Sequence, residues 1–247
     1  MQTIMLSIVT ATFRDLIGLR RTLESVSDLL DVADGAAEMI VCDGGTAGVR
    51  EVLRDFSHLP VVLSSRPDRG VYDAMNRGLR LTSGEYVWFL NGGDTALSTD
   101  WGTFRADFAR ADGAGILYGY VREGLREGRY RRPRAISYLW HALPTSHQAI
   151  FYPGEVARRY EYDLAYSVSA DYAYTASLSR EPGVRWVPVD RAVAKFQLGG
   201  LSTSKASQVA KDASHVQRVI LGSGRLLRAV SRARHVVSRL ATRALHG

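Results

Sequence analysis

Residues 65–94, SRPDRGVYDAMNRGLRLTSGEYVWFLNGGD, constrain the fold more than any other stretch of the chain. Apolar residues recur at helical spacing until Ser83-Gly84, which predicts a short helix that ends near Thr82. The unbroken apolar run from Tyr86 to Leu90 is too short for a core helix and suits a strand covered on both faces. The stretch therefore predicts a helix, a turn and a buried strand in succession.

The loop from Asn91 to Asp94 follows that strand directly. Gly92 and Gly93 allow positive φ angles and a close approach of a ligand to the backbone, and Asp94 offers the hard oxygen atoms that Mg²⁺ or Mn²⁺ prefers. In isolation such a loop is equally typical of an ordinary turn. It becomes a candidate site because α/β enzymes place their chemistry at the ends of buried strands.

Two further predicted strands end in similar loops. The apolar run Met5 to Val9 precedes TATFR at residues 10–14, and Met39 to Cys42 precedes DGGT at residues 43–46, with a helical pattern between the two. Alternating strands and helices predict a mainly parallel sheet with right-handed crossovers, whose ligands bind at the carboxyl edge. We therefore expect three side chains to converge at that edge: Thr12, Asp43 and Asp94.

The composition fits a single α/β domain with an appendage. The chain has 247 residues, 46% of them hydrophobic, which is enough to bury a full core. Its one cysteine, Cys42, excludes an intramolecular disulfide and is expected to be buried in a reducing cytoplasm. Neither a signal peptide nor an apolar stretch of membrane-spanning length is recognisable in the sequence.

The basic charge of the chain is concentrated in residues 205–247. This segment has nine Lys or Arg residues and one acid, Asp212, so it carries +8, and the other residues, with 23 basic and 24 acidic groups, carry −1. Gly222 and Gly224 are expected to divide it into two helices, because glycine costs about 1 kcal/mol in a helix interior. The first helix is expected to pack on the domain and the second to begin near Arg225.

The periodicity of this tail separates apolar from basic residues, a pattern typical of a helix that lies on an anionic membrane. A dimer-forming helix, and a core-covering helix with a solvated face, remain open as alternatives. Nucleic-acid binding is disfavoured because the tail has no stacking aromatic residues. The apolar set is Val216, Val219, Ile220, Leu226, Leu227, Val230, Val237 and Leu240, and the basic set is Arg218, Arg225, Arg228, Arg232, Arg239 and Arg243.

Seven short motifs occur in an order that resembles the family 2 glycosyltransferases with a GT-A fold. The motifs are TxTFR, VCDGGT, RPDRGVYDAMNRG, GEYVWFLNGGD, HQAIFY, SADY and FxLGGLS. The chain is most similar to short bacterial enzymes that build exopolysaccharides and glycolipids. The resemblance covers residues 3–204, which implies a catalytic domain over residues 1–204 and a basic amphipathic helical extension over residues 205–247.

The resemblance also implies roles for individual residues. Asp43 would contact the nucleobase, Arg69 would meet the donor phosphates, Asp94 would hold a divalent cation, Mn²⁺ or Mg²⁺, and Asp171 would be the catalytic base. His147 and Gln148 would position phosphate or acceptor, and Gly199 and Gly200 would form a flap over the donor. The remaining donor-binding positions are Thr10, Ala11, Thr12, Arg14, Asp73, Asn91, Gly92 and Gly93.

Several of these assignments have plainer readings in the sequence. A lone histidine such as His147 is usually packed or solvent-exposed, and Gly199-Gly200 are equally suited to a simple turn. The arginine-rich segment from Tyr120 to Arg134 is predicted to be a hairpin or loop with a solvated charged surface, with an anionic acceptor site as the alternative. Relatives often have two or three acids in the metal loop, whereas here Asp94 stands alone, so metal affinity is expected to depend on donor phosphate.

Taken with the resemblance, these features predict an enzyme that transfers a sugar from a nucleotide-diphosphate donor to a lipid-linked saccharide or a glycolipid. One base and one leaving-group stabiliser suffice for a single displacement, which inverts the anomeric carbon. The enzyme is expected at the cytoplasmic face of the cell membrane. The sequence leaves open whether it forms a homodimer. The alternatives are a nucleotidyltransferase, for which the sequence has no glycine-rich triphosphate loop, and a non-catalytic protein that binds membranes or nucleic acid.

Overall fold

The computed structural model describes residues 3–97, 99–124, 129–196 and 206–246, and for residues 206 and 238–246 it describes the backbone alone. The strands are β1 (Leu6–Thr12), β2 (Ala37–Asp43), β3 (Val61–Ser65), β4 (Tyr86–Phe89), β5 (Thr95–Ala96), β6 (Gly115–Glu123), β7 (Tyr130–Arg131), β8 (Ile150–Pro153) and β9 (Arg185–Phe196). The α-helices are α1 (Leu16–Val32), α2 (Val49–Arg54), α3 (Val71–Leu79), α4 (Trp101–Ala111), α5 (Gly154–Ala157), α6 (Ala170–Leu178), α7 (Ala206–Val219) and α8 (Arg225–His246). Two 3₁₀ helices span Ile136–Trp140 and His147–Ala149.

The strands of these residues form one mixed sheet in the order β3-β2-β1-β4-β8-β6-β9-β5, and β7 pairs with β6. The first four positions are parallel, since β1 pairs in parallel with β2 and β4, and β2 with β3. Strand β8 then runs antiparallel between β4 and β6, while β6 and β9 are parallel. The mainly parallel sheet flanked by helices that the sequence predicts is therefore confirmed.

The sheet separates two apolar layers because successive side chains of a strand point to opposite faces. On one face Ile8 and Trp88 pack with helices α1 and α4, and on the other Val9 and Phe89 pack with α3 and α6. All four of these side chains are fully buried. Complete burial of one large apolar side chain stabilises a fold by about 1.5–3 kcal/mol, so the unbroken run of β4 contributes strongly to both layers.

Local boundaries differ modestly from the sequence expectation. Helix α3 ends at Leu79, and the amides of Leu81 and Thr82 close the following turn on the carbonyls of Gly78 and Leu79. Strand β1 continues to Thr12, because residues 10–12 pair with the end of β2. The predicted hairpin after Tyr120 is present as the antiparallel pair β6 and β7.

Helices α7 and α8 form the C-terminal extension, and they break near Gly222 and Gly224 as expected. Helix α7 packs on the domain through Val216, which is fully buried in the same layer as α3 and α6. Helix α8 contacts the domain through the buried Ser231, whereas Leu226 and Val237 are 79% and 65% exposed. Within the described part of the chain, no helix has both the length and the apolar character needed to cross a membrane.

Candidate functional site

A cavity of about 570 Å³ lies at the carboxyl edge of the parallel strands, between the ends of β1, β2 and β3 and the start of α3. We call it the edge cavity. Of the residues predicted to bind a donor, Ala11, Thr12 and Arg14 line it. The other lining residues are Phe13, Gly44, Gly45, Thr46, Ala47, Pro67, Asp68, Gly70, Val71 and Ala74.

Asp43 shapes the loop that forms one wall of the edge cavity. Its carboxylate is fully buried, and Oδ2 accepts hydrogen bonds from the amides of Gly45 and Thr46, at 2.9 and 2.7 Å, and from the Ser65 hydroxyl at 2.7 Å. Burial opposes ionisation, but the hydrogen bonds from Thr46, Ser65 and Gly45 outweigh it and lower the pKa of Asp43. The buried Oδ1 has no hydrogen-bond partner among the residues that the structure describes.

Arg77 forms a support beneath the same cavity, and the sequence reasoning missed it. From α3 its buried guanidinium donates to the carbonyls of Asp43 and Arg66, at 2.8 and 3.1 Å, and lies 3.6 Å from the carboxylate of Asp68. It thus ties the ends of β2 and β3 to the start of α3. The RPDRGVYDAMNRG motif contains both members of the Asp68–Arg77 ion pair, at a spacing that periodicity alone does not mark as a contact.

A second group of predicted residues meets beside the edge cavity. His147 Nδ1 lies 3.4 Å from Asp171 Oδ2, and His147 Nε2 lies 3.5 Å from Asn91 Nδ2. Asn91 Oδ1 in turn accepts from the amide of Ala11 at 3.3 Å, on the cavity wall. Three residues that are far apart in the sequence, Asn91, His147 and Asp171, therefore form a contiguous polar row next to the cavity.

Asp94 occupies the other end of the loop after β4. Its side chain is largely buried, and Oδ2 accepts from Gln148 Nε2 at 3.0 Å. Thr22 of α1 fixes the loop, because its hydroxyl donates to the Asp94 carbonyl at 2.7 Å and accepts from the Gly93 amide at 3.0 Å. A Cβ atom on Gly92 would lie 2.9 Å from Thr12 Oγ1, so the close approach of this loop to β1 requires glycine.

Asp171 lies in the first turn of α6, where the helix dipole favours a negative charge. Its Oδ1 accepts from the Tyr172 amide at 2.9 Å, and its side chain remains 22% exposed. The loop before α6 is held from α7, since Asp212 Oδ2 accepts from the amides of Val168 and Ser169, each at 3.3 Å. The carboxylate is thus accessible but carried on a fixed backbone.

The protein atoms at this edge do not form a complete metal cage. Among the described residues, no three His, Cys, Asp or Glu side chains are close enough to hold one ion. Mg²⁺ is commonly held by one or two carboxylates and substrate phosphates. The carboxylate of Asp94 would fit that kind of site as a single protein ligand, if substrate phosphates supplied further oxygens.

The other predicted positions lie elsewhere. Thr10 is buried and donates to the Leu90 carbonyl at 2.7 Å, so it holds β1 against the loop after β4. Asp73 accepts from the Arg69 amide at 3.0 Å and pairs with the Arg69 side chain, which is 77% exposed. None of these three side chains lines the edge cavity, and their donor-binding roles remain predictions. Gly199 and Gly200 lie outside the described residues.

Comparisons with known proteins identify the family. The family model "Glycosyl transferase family 2" matches residues 7–174, which is more than half of the chain. The chain belongs to glycosyltransferase family 2. An uncharacterized glycosyltransferase of Mycobacterium tuberculosis is 33% identical over 185 residues, which cover 71% of this chain and 70% of that protein. The predicted enzyme class is therefore confirmed.

Two further comparisons extend this result. The PGL/p-HBAD biosynthesis glycosyltransferase of Mycobacterium bovis is 28% identical over 177 residues, or 69% of each chain. The mannosyltransferase PcManGT of Pyrobaculum calidifontis, solved with GDP-Man and Mn²⁺, superposes with a TM-score of 0.68 at 14% identity and covers 100% of this chain and 76% of that one. The GT-A fold of the glycosyltransferase is thereby confirmed, and the family favours glycosyl transfer over the nucleotidyltransferase and non-catalytic alternatives.

Replacement of Asp43 by alanine should destabilise the glycosyltransferase by about 1.5–3 kcal/mol, because the loop donors lose a buried charged acceptor. A carboxyl whose pKa is lowered on folding stabilises the native state above its unfolded pKa. The contribution should therefore persist above the ordinary value of 3.8 and disappear as the pH falls below it. Urea unfolding of the parent and Asp43→Ala across this range measures the difference.

Asp28→Ala is the matched control for this measurement, because Asp28 is an exposed carboxylate on α1. Equal stability of Asp43→Ala and Asp28→Ala at neutral pH would contradict the structural role of Asp43.

Proposed function

We propose that the protein transfers a sugar from a nucleotide-diphosphate donor to a hydroxyl group of a lipid-linked saccharide or glycolipid, in a single displacement that inverts the anomeric carbon. The observation that carries this proposal is the row Asn91–His147–Asp171, which extends from the wall of the edge cavity to an accessible carboxylate. A donor in the cavity and a base beside it are the two parts that such a transfer needs.

The edge cavity is the proposed donor site. Its position at the carboxyl ends of parallel strands is where sheets of this kind bind nucleotides. The similar mannosyltransferase PcManGT was solved with GDP-Man, a nucleotide sugar. Phe13 and Pro67 supply apolar surface for a base, and Arg14 supplies a cation at the same cavity for the diphosphate. The unpartnered Oδ1 of Asp43 lies behind this wall as a further acceptor.

Asp171 is the proposed general base. An acceptor hydroxyl must lose its proton as it attacks the anomeric carbon, and a carboxylate within hydrogen-bond reach takes it. The partial exposure of Asp171 admits the acceptor, and its position in the first turn of α6 holds the carboxylate on a fixed backbone. His147 holds Oδ2 at 3.4 Å and so restricts the carboxylate to one orientation.

Departure of the nucleoside diphosphate requires compensation of the negative charge that develops on it. We assign this task to Arg14, on the cavity wall, and to Arg69, which lies in the sequence between the lining residues Asp68 and Gly70. Asp94 would hold a divalent cation together with donor oxygens, and such a cation supplies electrostatic stabilisation of the leaving group without proton transfer. Gln148 orients Asp94 through its 3.0 Å hydrogen bond.

We place the acceptor at an anionic membrane surface. The relative from Mycobacterium bovis is named for PGL/p-HBAD biosynthesis, which supports a glycolipid acceptor. Helix α8 supports the proposed membrane association. It packs on the domain through Ser231 and presents Leu226, Val230 and Val237 outward. These three residues share one helical face, and residues 213–247 contain seven arginines and no acid. A second copy would bring arginines together, whereas anionic lipid neutralises them.

We expect one donor class among UDP, GDP, dTDP, CMP and their sugar conjugates to raise the melting temperature of the protein. A ligand that binds only the native state stabilises that state. The shift should grow with Mn²⁺ or Mg²⁺ in the parent and lose its metal dependence in Asp94→Asn. Asp28→Asn, which changes an exposed carboxylate on α1, should behave like the parent. A melting temperature that no nucleotide raises would overturn the donor site.

Asp171→Asn should lower the rate of sugar transfer by about 10²–10⁴-fold, since the amide cannot accept the acceptor proton. Donor binding, measured by the same thermal shift, should be retained because Asp171 does not line the edge cavity. Steady-state transfer assays of the variant and of Asp28→Asn test this role. Parent-like turnover in Asp171→Asn would exclude it as the base.

Substitution of the outward residues of α8, as Leu226→Gln/Val230→Gln/Val237→Gln, should weaken binding to anionic vesicles at least about tenfold, since complete burial of one such side chain contributes about 1.5–3 kcal/mol. The control is Ile17→Gln/Val32→Gln/Leu81→Gln, which alters three exposed aliphatic residues elsewhere. Sedimentation of the protein with vesicles measures binding. Unchanged binding, or a parent dimer that the α8 variant converts to a monomer, would assign this face to another partner.

A further inference from the structure

Two arginines from distant parts of the chain lie close to one aromatic ring. The Arg134 guanidinium carbon lies 4.6 Å from the centre of the Tyr138 ring, and that of Arg234, on α8, lies 5.5 Å from the same ring. Arg234 also lies 5.9 Å from the Trp140 ring. We call Arg134, Tyr138, Trp140 and Arg234 the arginine–aromatic cluster. It joins the 3₁₀ helix Ile136–Trp140 to the middle of α8.

No carboxylate of the described residues pairs with the arginines of this cluster. Neither Arg134 nor Arg234 forms an ion pair with a carboxylate of the described residues, whereas nine other arginines do, for example Arg77 with Asp68 and Arg191 with Asp107. Both side chains are exposed, and the rings beside them are half-buried. Two guanidinium groups beside the same ring, with no ion-pair partner among the carboxylates of the described residues, form a surface to which a phosphate is attracted.

Buried polar residues beneath the cluster keep it in place. His141 Nδ1 lies 2.6 Å from the Ser231 hydroxyl, and Gln217 Nε2 donates to Ser231 at 2.8 Å and to the His141 carbonyl at 3.2 Å. The centres of the His141 and His235 rings lie 4.5 Å apart, with the rings tilted by 38° to each other. Burial, followed by the charges of His235, Arg234 and Arg134, lowers the pKa of His141 to about 4, so this support is neutral at physiological pH.

We propose that the arginine–aromatic cluster is a binding site for the phosphate of an anionic phospholipid headgroup. Arg134 and Arg234 would bind the phosphate oxygens, and Trp140 and Tyr138 would lie at the level of the headgroups, where such rings are favoured. The site lies beside the outward apolar face of α8, because Arg234 follows Val230 and precedes Val237 on the same helix. The proposal rests on the membrane association described above and adds residues of the catalytic domain to it.

The location of the cluster gives the site a consequence for transfer. The 3₁₀ helix that carries Tyr138 and Trp140 also receives a hydrogen bond at the Leu139 carbonyl from the Tyr172 hydroxyl, at 2.6 Å. Tyr172 directly follows Asp171 in α6. A headgroup bound at the cluster therefore places the bilayer surface on the side of the domain that carries the proposed base, where a lipid-borne acceptor arrives.

The test is the double substitution Arg134→Gln/Arg234→Gln in the full chain, with sedimentation against phosphatidylcholine vesicles that contain or lack phosphatidylserine. Affinity for the phosphatidylserine vesicles should fall about 30-fold, since one basic group near an anionic surface contributes about fivefold. Binding to pure phosphatidylcholine should change little. The control Arg50→Gln/Arg105→Gln removes two exposed arginines of α2 and α4 and should resemble the parent.

A charge-conserving variant separates binding from folding. Arg134→Lys/Arg234→Lys keeps both cations beside the rings and should bind phosphatidylserine vesicles within about fivefold of the parent. Parent-like binding by the glutamine pair, or equal losses in the lysine and glutamine pairs, would overturn the proposal. Saturable binding of inorganic phosphate that the glutamine pair abolishes, with vesicle binding intact, would reassign the site to free phosphate. These assays need no donor, so their outcome is independent of the donor site.

Discussion

The parallel register of β1 with its two neighbours is the constraint on which the site depends. Thr12 at the end of β1 lies opposite Asp43 at the end of β2, and Val9 lies opposite Phe89 in β4. This alignment brings three loops to one edge, although their residues are far apart in the chain. The edge cavity and the loop from Asn91 to Asp94 follow from that alignment, because each is formed where a paired strand ends.

Buried polar side chains then convert this edge into a fixed surface. Asp43 accepts hydrogen bonds from two loop amides, and Arg77 donates to two carbonyls and pairs with Asp68. Thr22 makes hydrogen bonds to Gly93 and Asp94 in the loop after β4. Each such group would destabilise the fold if it were buried without partners, so its hydrogen bonds specify one arrangement of the backbone. A site for a charged donor benefits from this arrangement, since preorganised dipoles need little rearrangement during reaction.

The sequence predicted the sheet and much of the site because these depend on local patterns. The apolar runs of β1, β2 and β4 and the loops after them are visible as short motifs, and the family resemblance assigns separate roles to Asn91, His147 and Asp171, which the structure brings into contact. Arg77 and Thr22 were missed because their roles arise from contacts between α3 or α1 and distant loops. Periodicity likewise shows that α8 has an apolar face, but only the packing of Ser231 shows that this face points outward.

The position of Asp212 alters how the boundary at residue 204 is understood. The charge distribution separates a nearly neutral domain from a basic extension. Asp212 belongs to the extension, yet its carboxylate accepts hydrogen bonds from the amides of Val168 and Ser169, just before α6. Tyr166 makes a second connection, through a 2.8 Å contact between its hydroxyl and His215 Nδ1. The change in charge at residue 204 therefore does not coincide with a break in the packing. Helix α7 is part of the catalytic scaffold, so removal of residues 205–247 would also remove the contacts of Asp212 and His215 with the loop before α6.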